Sequence, residues 1–470
     1  MSDRDLAILG GEPLRILPFA STPMIDNDEL NLVNQLMRKG QFSKFVGSPL
    51  PGSEELLHKK SSDLEIRNIS PNILGGEYVR KFEAEWSKIT KADYCISVNS
   101  ATSGLTTALL ALGLDPGSEV ITTPFSFSAT CAAIVAANCV PIFCDIDPDT
   151  FCLSPKELKK IITNKTKCVI TVHWCGNAGD LCQIKTICDE NNIFLVEDAA
   201  QAPSSFYKCS KQCNNSCKNF ESPMAIGTFG DIGVFSFNEP KNIMSGEGGL
   251  IVTNNEKIAA KCRLIRNHGE ALVSDNYKDE ELVNIIGYNF RMTELHAAIA
   301  YIQTKKHEKI NKIRKENYIY LRNGINDSFS DYLIPQDVTH IDSFFAYTAS
   351  FKWVSKKIHR NIIAMALMAE GIPVFKGYHR LMCDHPMFKR KIAFGRNNFP
   401  WTNHKVNYNN SEVPNARRLV DSQFLGFLQM GYPNKKEDMD DIINAFQKII
   451  SNIDKLKNFE ASKQRLSIGR

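Results

Sequence analysis

The feature that most constrains the fold is an alternation of short apolar segments with amphipathic segments between about residues 93 and 253. Apolar segments of this length predict buried strands, and the stretches Thr102–Leu112 and Pro155–Ile162 carry apolar residues at helical spacing. Buried strands that alternate with helices predict an α/β fold with a mainly parallel sheet. The seven predicted strands are Tyr94–Val98, Val120–Thr123, Val140–Asp145, Cys168–Val172, Ile193–Val196, Gly233–Phe237 and Leu250–Thr253. Because active sites of such sheets lie at the carboxyl ends of the strands, the residues that follow each strand are the candidates for chemistry.

The second half of the chain predicts a smaller α+β domain. A helical pattern from Glu294 to about Asn323 predicts a connector helix, and a strand at Phe344–Trp353 is followed by helices at Ile358–Glu370 and Glu437–Ile453. The predicted division is an N-terminal segment 1–42 that packs on the small domain, an insertion 43–74, a large domain 75–315 with a second insertion 207–224, and a small C-terminal domain 316–470.

Composition excludes several classes of protein. With 56 Lys plus Arg and 52 Asp plus Glu, the net charge of +4 is too small to indicate a nucleic-acid partner. The apolar runs are shorter than the roughly 20 residues of a membrane span. The chain opens with Ser2-Asp3-Arg4-Asp5, unlike a secretory signal. We therefore expect a cytoplasmic protein whose 14 cysteines are mostly reduced thiols.

The first candidate site follows the predicted strand Tyr94–Val98. Asn99-Ser100-Ala101-Thr102 places small and hydroxyl side chains at the start of a helix, where free N–H groups and the helix dipole favour a phosphate. The alternative interpretation is an ordinary helix cap by Asn99 or Ser100.

The second candidate is the acidic pair Glu197-Asp198, which directly follows an apolar strand. A carboxylate at the end of a central strand is costly unless it meets a cation or hydrogen-bond donors. The protonated ring nitrogen of a cofactor is one such partner, and capping of the next helix by Asp198 is the alternative.

The third candidate is Lys241, which follows Pro240 after a strand and precedes the glycine-rich turn Ser245-Gly246-Glu247-Gly248-Gly249. A lysine in an apolar pocket has a lowered pKa and can form a Schiff base. The alternative is a solvated surface charge. A fourth stretch, Gly287–Glu294, contains Asn289 and Thr293, which could cap the connector helix or contact a ligand or a partner subunit.

Taken together, these stretches resemble the DegT/DnrJ/EryC1/StrS family of sugar aminotransferases. The resemblance rests on the opening Leu9-Gly10-Gly11-Glu12-Pro13, on Gly76–Glu83, on Glu197–Ala202, on the pattern Ser236–Gly249 and on Asn289–Glu294. It implies a pyridoxal 5'-phosphate (PLP) enzyme of fold type I, with a large domain around a mainly parallel seven-stranded sheet and a smaller α+β C-terminal domain.

The resemblance also implies the role of each matched residue. Lys241 corresponds to the lysine that forms a Schiff base with PLP and moves protons, and Asp198 to the acid that pairs with the pyridinium nitrogen. Gln201 corresponds to a residue near the phenolic oxygen of the cofactor, and Phe127 to an aromatic residue that stacks on its ring. The residues implied to bind the phosphate are Ala101, Thr102, Ser236 and, across the interface of a homodimer, Asn289.

The function implied by the resemblance is transfer of an amino group from Glu or Gln to a keto sugar, which we expect to be linked to a nucleotide. Amination of a keto-cyclitol is a close alternative, because the opening Leu9–Pro13 also resembles the cyclitol branch. A sugar dehydratase of the same fold carries His at the lysine position, so Lys241 argues against that reaction. A non-catalytic sensor of this fold is disfavoured by the pair of Asp198 and Lys241.

The second insertion carries Cys209, Cys213 and Cys217. Three thiols without a histidine leave a structural zinc site short of its usual fourth ligand, which would have to come from elsewhere in the fold. Transamination by PLP needs no metal. The sequence therefore predicts a surface hairpin or loop with free thiols and no catalytic metal, and a structural metal or a disulfide is the alternative.

Overall fold

The computed structural model describes residues 5–20, 23–40, 42–45, 74–209, 223–269, 285–343 and 348–457. Most of the first predicted insertion and residues 210–222 of the second lie outside these ranges. Within the ranges, the helices are all too short or too polar to cross a membrane.

A seven-stranded sheet forms the centre of the molecule, in the spatial order β1-β9-β8-β5-β4-β2-β3. Strand β9 is antiparallel to both of its neighbours, and the other strands of this sheet run parallel. The strands are β1 (Tyr94–Val98), β2 (Glu119–Thr122), β3 (Val140–Phe143), β4 (Thr166–Val172), β5 (Phe194–Asp198), β8 (Ile232–Ser236) and β9 (Gly249–Thr253). The α/β architecture predicted from the sequence is therefore confirmed.

The predicted strand ends differ from the observed ones by a few residues at most, and the difference matters at β5. The apolar pattern predicts a strand that ends at Val196, whereas β5 continues through Glu197 and Asp198. These two acids keep the ladder pairing with Thr171 and Val172 of β4, so the backbone stays extended although the apolar run has ended.

Helices cover both faces of the sheet and bury two large apolar clusters against it. The helices of this part are α1 (Asn27–Lys39), α2 (Glu77–Thr90), α3 (Ala101–Ala111), α4 (Ser128–Ala136), α5 (Pro155–Ile161), α6 (Leu181–Glu190), α7 (Glu256–Arg266) and α8 (Glu294–Lys305). Helix α3 is apolar over most of its surface because it lies against β8, β9, α4 and α7.

The predicted single connector helix from Glu294 to Asn323 is wrong. The chain forms α8 (Glu294–Lys305) and then α9 (His307–Phe329), with a break at Lys306, whose ψ of 1° departs from the helical value. The Lys306 ammonium lies 2.6 Å from a carboxylate oxygen of Glu29, in the first turn of α1, and 2.7 Å from one of Asp26, the N-cap of α1. This double ion pair holds Lys306 at the break between the two helices.

The C-terminal lobe is built on a three-stranded antiparallel sheet in the order β10-β12-β13. Its strands are β10 (Leu333–Pro335), β12 (Ala349–Trp353) and β13 (Phe424–Phe427), and its helices are α10 (Arg360–Ala369), α11 (Pro386–Lys389), α12 (Pro414–Arg418), α13 (Lys436–Ser451) and α14 (Ile453–Lys457). Residues 344–347 of the predicted strand Phe344–Trp353 lie outside the described residues.

The N-terminal segment contacts both lobes. Leu6 is buried in the core of the C-terminal lobe, and the backbone N–H groups of Ala7 and Leu14 donate to the buried Glu370 carboxylate at 2.9 and 3.0 Å. Helix α1 instead packs against α8. The division into domains at residues 42, 75 and 316 stays a prediction.

A third, small sheet joins the two lobes. It consists of β6 (Phe206–Tyr207), β7 (Met224–Ala225) and β11 (Ile341–Ser343), in the order β11-β6-β7. The Lys208 N–H donates to the His340 carbonyl at 2.8 Å, which extends the pairing beyond β6. Strands β6 and β7, which flank the second insertion, thus form a hairpin that pairs with β11.

Candidate active site

Most of the residues predicted to carry chemistry lie at one edge of the large sheet. Asn99, Asp198 and Phe237 are at or directly after the carboxyl ends of β1, β5 and β8, which are parallel strands. Parallel strands expose their carboxyl ends at the same edge, where α/β proteins bind ligands. The topology therefore brings the predicted phosphate turn, the predicted acid and the segment that leads to Lys241 to one edge.

Asp198 is a buried acid with a specific set of donors. Its side chain is 5% exposed, Thr130 Oγ1 donates to Oδ2 at 2.7 Å, and the Ala200 N–H donates to Oδ1 at 3.2 Å. Ser126 Oγ lies 2.8 Å from Thr130 Oγ1. Burial raises the pKa of Asp198 above its ordinary value, and the donors and the nearby Lys241 oppose that rise. A cation at the open side of this carboxylate would therefore be stabilised.

Gln201 is oriented by contacts at both ends of its amide. The Cys175 N–H donates to Oε1 at 2.9 Å, and Nε2 lies 3.3 Å from Tyr378 Oη. Cys175 has a φ of 54°, a left-handed conformation that non-glycine residues seldom adopt. Because Tyr378 comes from the C-terminal lobe, this amide connects the two lobes at the site.

Phe127 presents an aromatic ring to solvent directly before α4. Its side chain is 59% exposed, whereas Phe125, two residues earlier, is fully buried. The Phe127 ring lies 6.0 Å from the ring of Tyr378, measured between centroids. An exposed ring at this edge of the sheet is a surface on which a flat ligand could stack.

The turn from β1 into α3 has the geometry of an anion site. Ser100 caps the helix by accepting from the Ser103 N–H at 3.1 Å, and Ala101 and Thr102 are the first helical residues, whose N–H groups lack partners within a helix. In the sheet, Gly249 lies between Val98 of β1 and Ser236 of β8.

That glycine packs directly against the start of α3. A Cβ atom at Gly249 would collide with the carbonyl group of Ser100. The Ser236 hydroxyl accepts from the Asn238 N–H at 3.4 Å. Ser236 and the start of α3 therefore both adjoin Gly249, which brings three of the four residues predicted to bind phosphate, Ala101, Thr102 and Ser236, to one part of the site.

Lys241 lies in a turn that is fixed by backbone hydrogen bonds. Its N–H donates to the Asn238 carbonyl at 2.9 Å, and the Glu239 N–H donates to Gly246 at 2.9 Å. Burial lowers the pKa of Lys241, and the Asp198 carboxylate partly opposes that shift.

A cavity of about 410 Å³ adjoins this turn. It is lined by Lys241 and Asn242, by the N-terminal segment and by the C-terminal lobe. Both polar atoms of the Asn242 amide are buried and have no hydrogen-bond partner among the described residues. The cavity is large enough for a small molecule.

Asn289 lies apart from the acid, on an exposed stretch near the phosphate turn. It lines a second cavity of about 350 Å³ together with Asn99, Arg291 and His296. The Asn99 N–H donates to the Phe290 carbonyl at 2.8 Å, which holds this stretch against the end of β1.

Sequence reasoning missed three residues that the structure places at the site. Thr130 lies in the first turn of α4, three residues after Phe127, and a hydroxyl near the carboxyl end of β2 was the available signal. Tyr378 follows Gly377 in the C-terminal lobe, outside the stretches that carry the family resemblance. No sequence pattern indicated Cys175, because its contact with the site is made by its backbone N–H and depends on an unusual φ.

Comparison with known proteins agrees with this geometry. Residues 60–412 match the model of the DegT/DnrJ/EryC1/StrS aminotransferase family. GDP-perosamine synthase from Escherichia coli O157:H7 is 34% identical over 319 residues, which cover 67% of this chain and 80% of that protein. A putative L-glutamine:3-amino-2,3-dideoxy-scyllo-inosose aminotransferase from Streptoalloteichus tenebrarius is 26% identical over 462 residues, which cover 96% and 99% of the two chains.

A solved structure shows the same fold. The aminotransferase from Psychrobacter cryohalolentis superposes with a TM-score of 0.74 at 23% identity, covering 93% of this chain and all of that one. Enzymes of the matched family use PLP, and a buried acid, a lysine of lowered pKa and an open helix start beside a hydroxyl fit the ring nitrogen, the aldehyde and the phosphate of that cofactor. The chain therefore belongs to the DegT/DnrJ/EryC1/StrS aminotransferase family and is a PLP-dependent aminotransferase.

Proposed function

We propose that this enzyme transfers the amino group of glutamate or glutamine to a keto sugar that is linked to a nucleotide. The observation that carries the proposal is the burial of Asp198 and Lys241 near enough to each other for the charge of each to influence the pKa of the other. A cavity of about 410 Å³ adjoins Lys241. Amino transfer requires a lysine that can carry a proton and an acid that can hold a positive charge on the cofactor. A protein that only binds its ligand needs neither group.

PLP, when bound, supplies an electron sink that lets the carbon bearing the amino group lose its proton. Lys241 Nζ would hold the cofactor until the amino donor displaces it, and would then carry the proton. Its lowered pKa favours this use, because the neutral amine is the form that accepts a proton. Asp198, held as an acceptor by Thr130 and Ala200, would keep the ring nitrogen protonated.

The remaining predicted residues would position the cofactor. Gln201 Nε2 would reach the phenolic oxygen, because Cys175 already fixes the opposite end of the amide. Phe127 would cover one face of the ring. The helix start at Ala101 and Thr102, with the Ser236 hydroxyl, would bind the phosphate.

We further propose that the enzyme is a homodimer in which Asn289 contacts the phosphate bound by the other subunit. Asn289 is exposed and lines a cavity that also borders Asn99, next to the phosphate turn. A second copy seated on this surface would place each Asn289 near the other copy's site.

The relatives support a sugar-like acceptor. One is named for a GDP-linked amino sugar, and another for an amino-inosose, so a keto-cyclitol is the second candidate. The similarity to the inosose aminotransferase extends over nearly the whole chain, and this supports a keto-cyclitol as the second candidate acceptor. A dehydratase reaction is disfavoured by the amine of Lys241.

A product screen tests the proposal. The purified enzyme is incubated with glutamate or glutamine labelled with ¹⁵N at the α-amino group, and with a panel of nucleotide-linked keto sugars and inososes. Mass spectrometry should show ¹⁵N in an amino sugar bound to a nucleotide, and Lys241→Ala should give none. Label only in an amino-cyclitol would support the second candidate, and label in no product from either class would contradict both.

A further inference from the structure

A buried histidine and a buried glutamate form a pair at the same edge of the sheet as the site. His173 directly follows β4, and Glu197 is the residue before Asp198 in β5. Both side chains are 0% exposed, and His173 Nε2 lies 2.9 Å from Glu197 Oε2. Successive side chains of a strand point to opposite faces, so the pair lies on the other face of β5 from the Asp198 side chain.

The contacts of Glu197 fix the direction of the hydrogen bond in this pair. Its Oε1 accepts from the N–H groups of Phe229 and Gly230 at 2.6 and 2.7 Å, and its Oε2 accepts from the Gly227 N–H at 2.8 Å. With these three donors and the imidazole, the carboxylate accepts at four positions and has no place for a proton of its own. His173 Nε2 is therefore the donor.

This hydrogen bond also orients the imidazole ring. His173 Nδ1 is buried and has no hydrogen-bond partner among the residues that the structure describes. Within this part of the chain, the bond from Nε2 to Glu197 is therefore the one hydrogen bond that the ring makes.

His173 attaches a strained turn to the end of the sheet. Its N–H donates to the Asp198 carbonyl at 3.1 Å, and its carbonyl accepts from the Gly176 N–H at 3.2 Å, which closes the turn over Cys175. Cys175 has a φ of 54°, a costly conformation for a residue with a Cβ, which its surroundings must hold. The N–H of Cys175 donates to Gln201 Oε1 at 2.9 Å. The turn thus connects His173 to the amide that faces the site.

From these contacts, we propose that His173 is a positioning residue for amino transfer and that Glu197 fixes its ring. The pair holds the first residue of the turn, the turn directs the Cys175 N–H at one end of the Gln201 amide, and the other end is thereby directed at the phenolic oxygen of the cofactor. The inference rests on the proposed role of Gln201, and it requires no contact between the pair and the reacting atoms.

The test uses the absorbance of the PLP-loaded enzyme, followed from low to high pH without any substrate. A donor at the phenolic oxygen withdraws negative charge, so its loss should hold the proton more strongly on the nitrogen that joins Lys241 to the cofactor. In Gln201→Leu, the midpoint of the absorbance change should therefore move to higher pH. His173→Met, which replaces the imidazole by an apolar side chain of similar volume, should move the midpoint in the same direction and by less.

A double variant tests whether His173 acts through Gln201. The midpoint of His173→Met combined with Gln201→Leu should equal that of Gln201→Leu alone, because the turn then has no amide to orient. His173→Gln, which keeps a donor that can reach Glu197, should restore most of the wild-type midpoint.

Two further variants separate positioning from loss of stability. Glu197→Gln places an amide NH₂ among donors, so it should also move the midpoint to higher pH, and it provides the test if His173→Met does not fold. The control is Ile184→Ala, a buried residue of α6 in the same large-domain core. It should lower the unfolding temperature and leave the midpoint unchanged.

Failure of this inference can be told apart from failure of the proposed role of Gln201. A shift in Gln201→Leu with none in His173→Met and Glu197→Gln would overturn the inference alone. Shifts that add in the double variant, or a shift of the same size in Ile184→Ala, would also overturn it. An unchanged midpoint in Gln201→Leu would contradict the role of Gln201, and the inference with it.

Discussion

Thr130 Oγ1 donates a 2.7 Å hydrogen bond to Oδ2 of Asp198, and thereby joins the first turn of α4 to the last residue of β5. The hydroxyl is itself 2.8 Å from Ser126 Oγ, so two hydroxyl groups support one buried carboxylate. The charge of that carboxylate therefore depends on residues that do not touch the reacting atoms.

Removing the Thr130 hydroxyl should make Asp198 harder to ionise. Thr130→Val deletes a donor to the charged form, so the pKa of Asp198, already raised by burial, should rise further. Because the ionised acid is the active form, the acidic limb of the profile of kcat/KM against pH should move to higher pH. Ser126→Ala should move it less, in the same direction. An unchanged acidic limb in Thr130→Val would separate Thr130 from the function of Asp198.

Replacing the acid itself should remove activity and keep the fold. In Asp198→Asn, the amide oxygen can still accept from Thr130, but a neutral amide does not hold a proton on the ring nitrogen. We expect turnover to fall at least about 100-fold, with circular dichroism unchanged. Near-normal turnover in the folded variant would show that another group sets the charge of the ring.

Lys241 should be the residue that carries the cofactor. Reduction of the PLP-loaded enzyme with borohydride, followed by digestion and peptide mapping, should find the added mass on Lys241. Lys208, an exposed lysine after β6, serves as an internal comparison and should remain unmodified. Label on a different lysine would contradict the assignment.

Two inactive variants should complement each other if subunits share their sites. Lys241→Ala lacks the lysine, and Asn289→Ala lacks the proposed contact to the partner's phosphate. In a mixed dimer, one of the two sites would have both residues intact. A mixed dimer should therefore recover up to about half of the activity of a wild-type dimer. Confirmed mixed dimers without any recovery would place both residues in a site built from one chain.

Much of the large domain could be predicted from the sequence, because buried parallel strands are continuous apolar runs. The acids at the end of β5 were found as a site but excluded from the strand, since the apolar pattern stops before the ladder does. The break between α8 and α9 was missed for a related reason. The helical pattern continues through Lys306, and the ion pairs that hold Lys306 at the break, with Glu29 and Asp26, join segments far apart in sequence.

Candidate residues such as Asp198 and Lys241 could be predicted because a sequence motif indicated both where they lie and what chemistry they could perform. The contacts that support them could not be predicted from the sequence. Cys175 orients Gln201 through a backbone N–H, and Tyr378 reaches the same amide from the other lobe. Such contacts depend on how loops pack, which neither composition nor periodicity reports.

The central claim is that this site transfers amino groups, and the half-reaction with the amino donor tests it most directly. Glutamate or glutamine is added to the PLP-loaded enzyme without any acceptor, and the visible spectrum is followed with time. The account predicts that the absorbance of the bound cofactor changes in wild-type protein as the donor is converted to its keto acid in an amount equal to the sites, and that Lys241→Ala shows no such conversion. A wild-type spectrum that stays unchanged with both donors, with no keto acid formed, would contradict the account and favour a binding protein of the same fold.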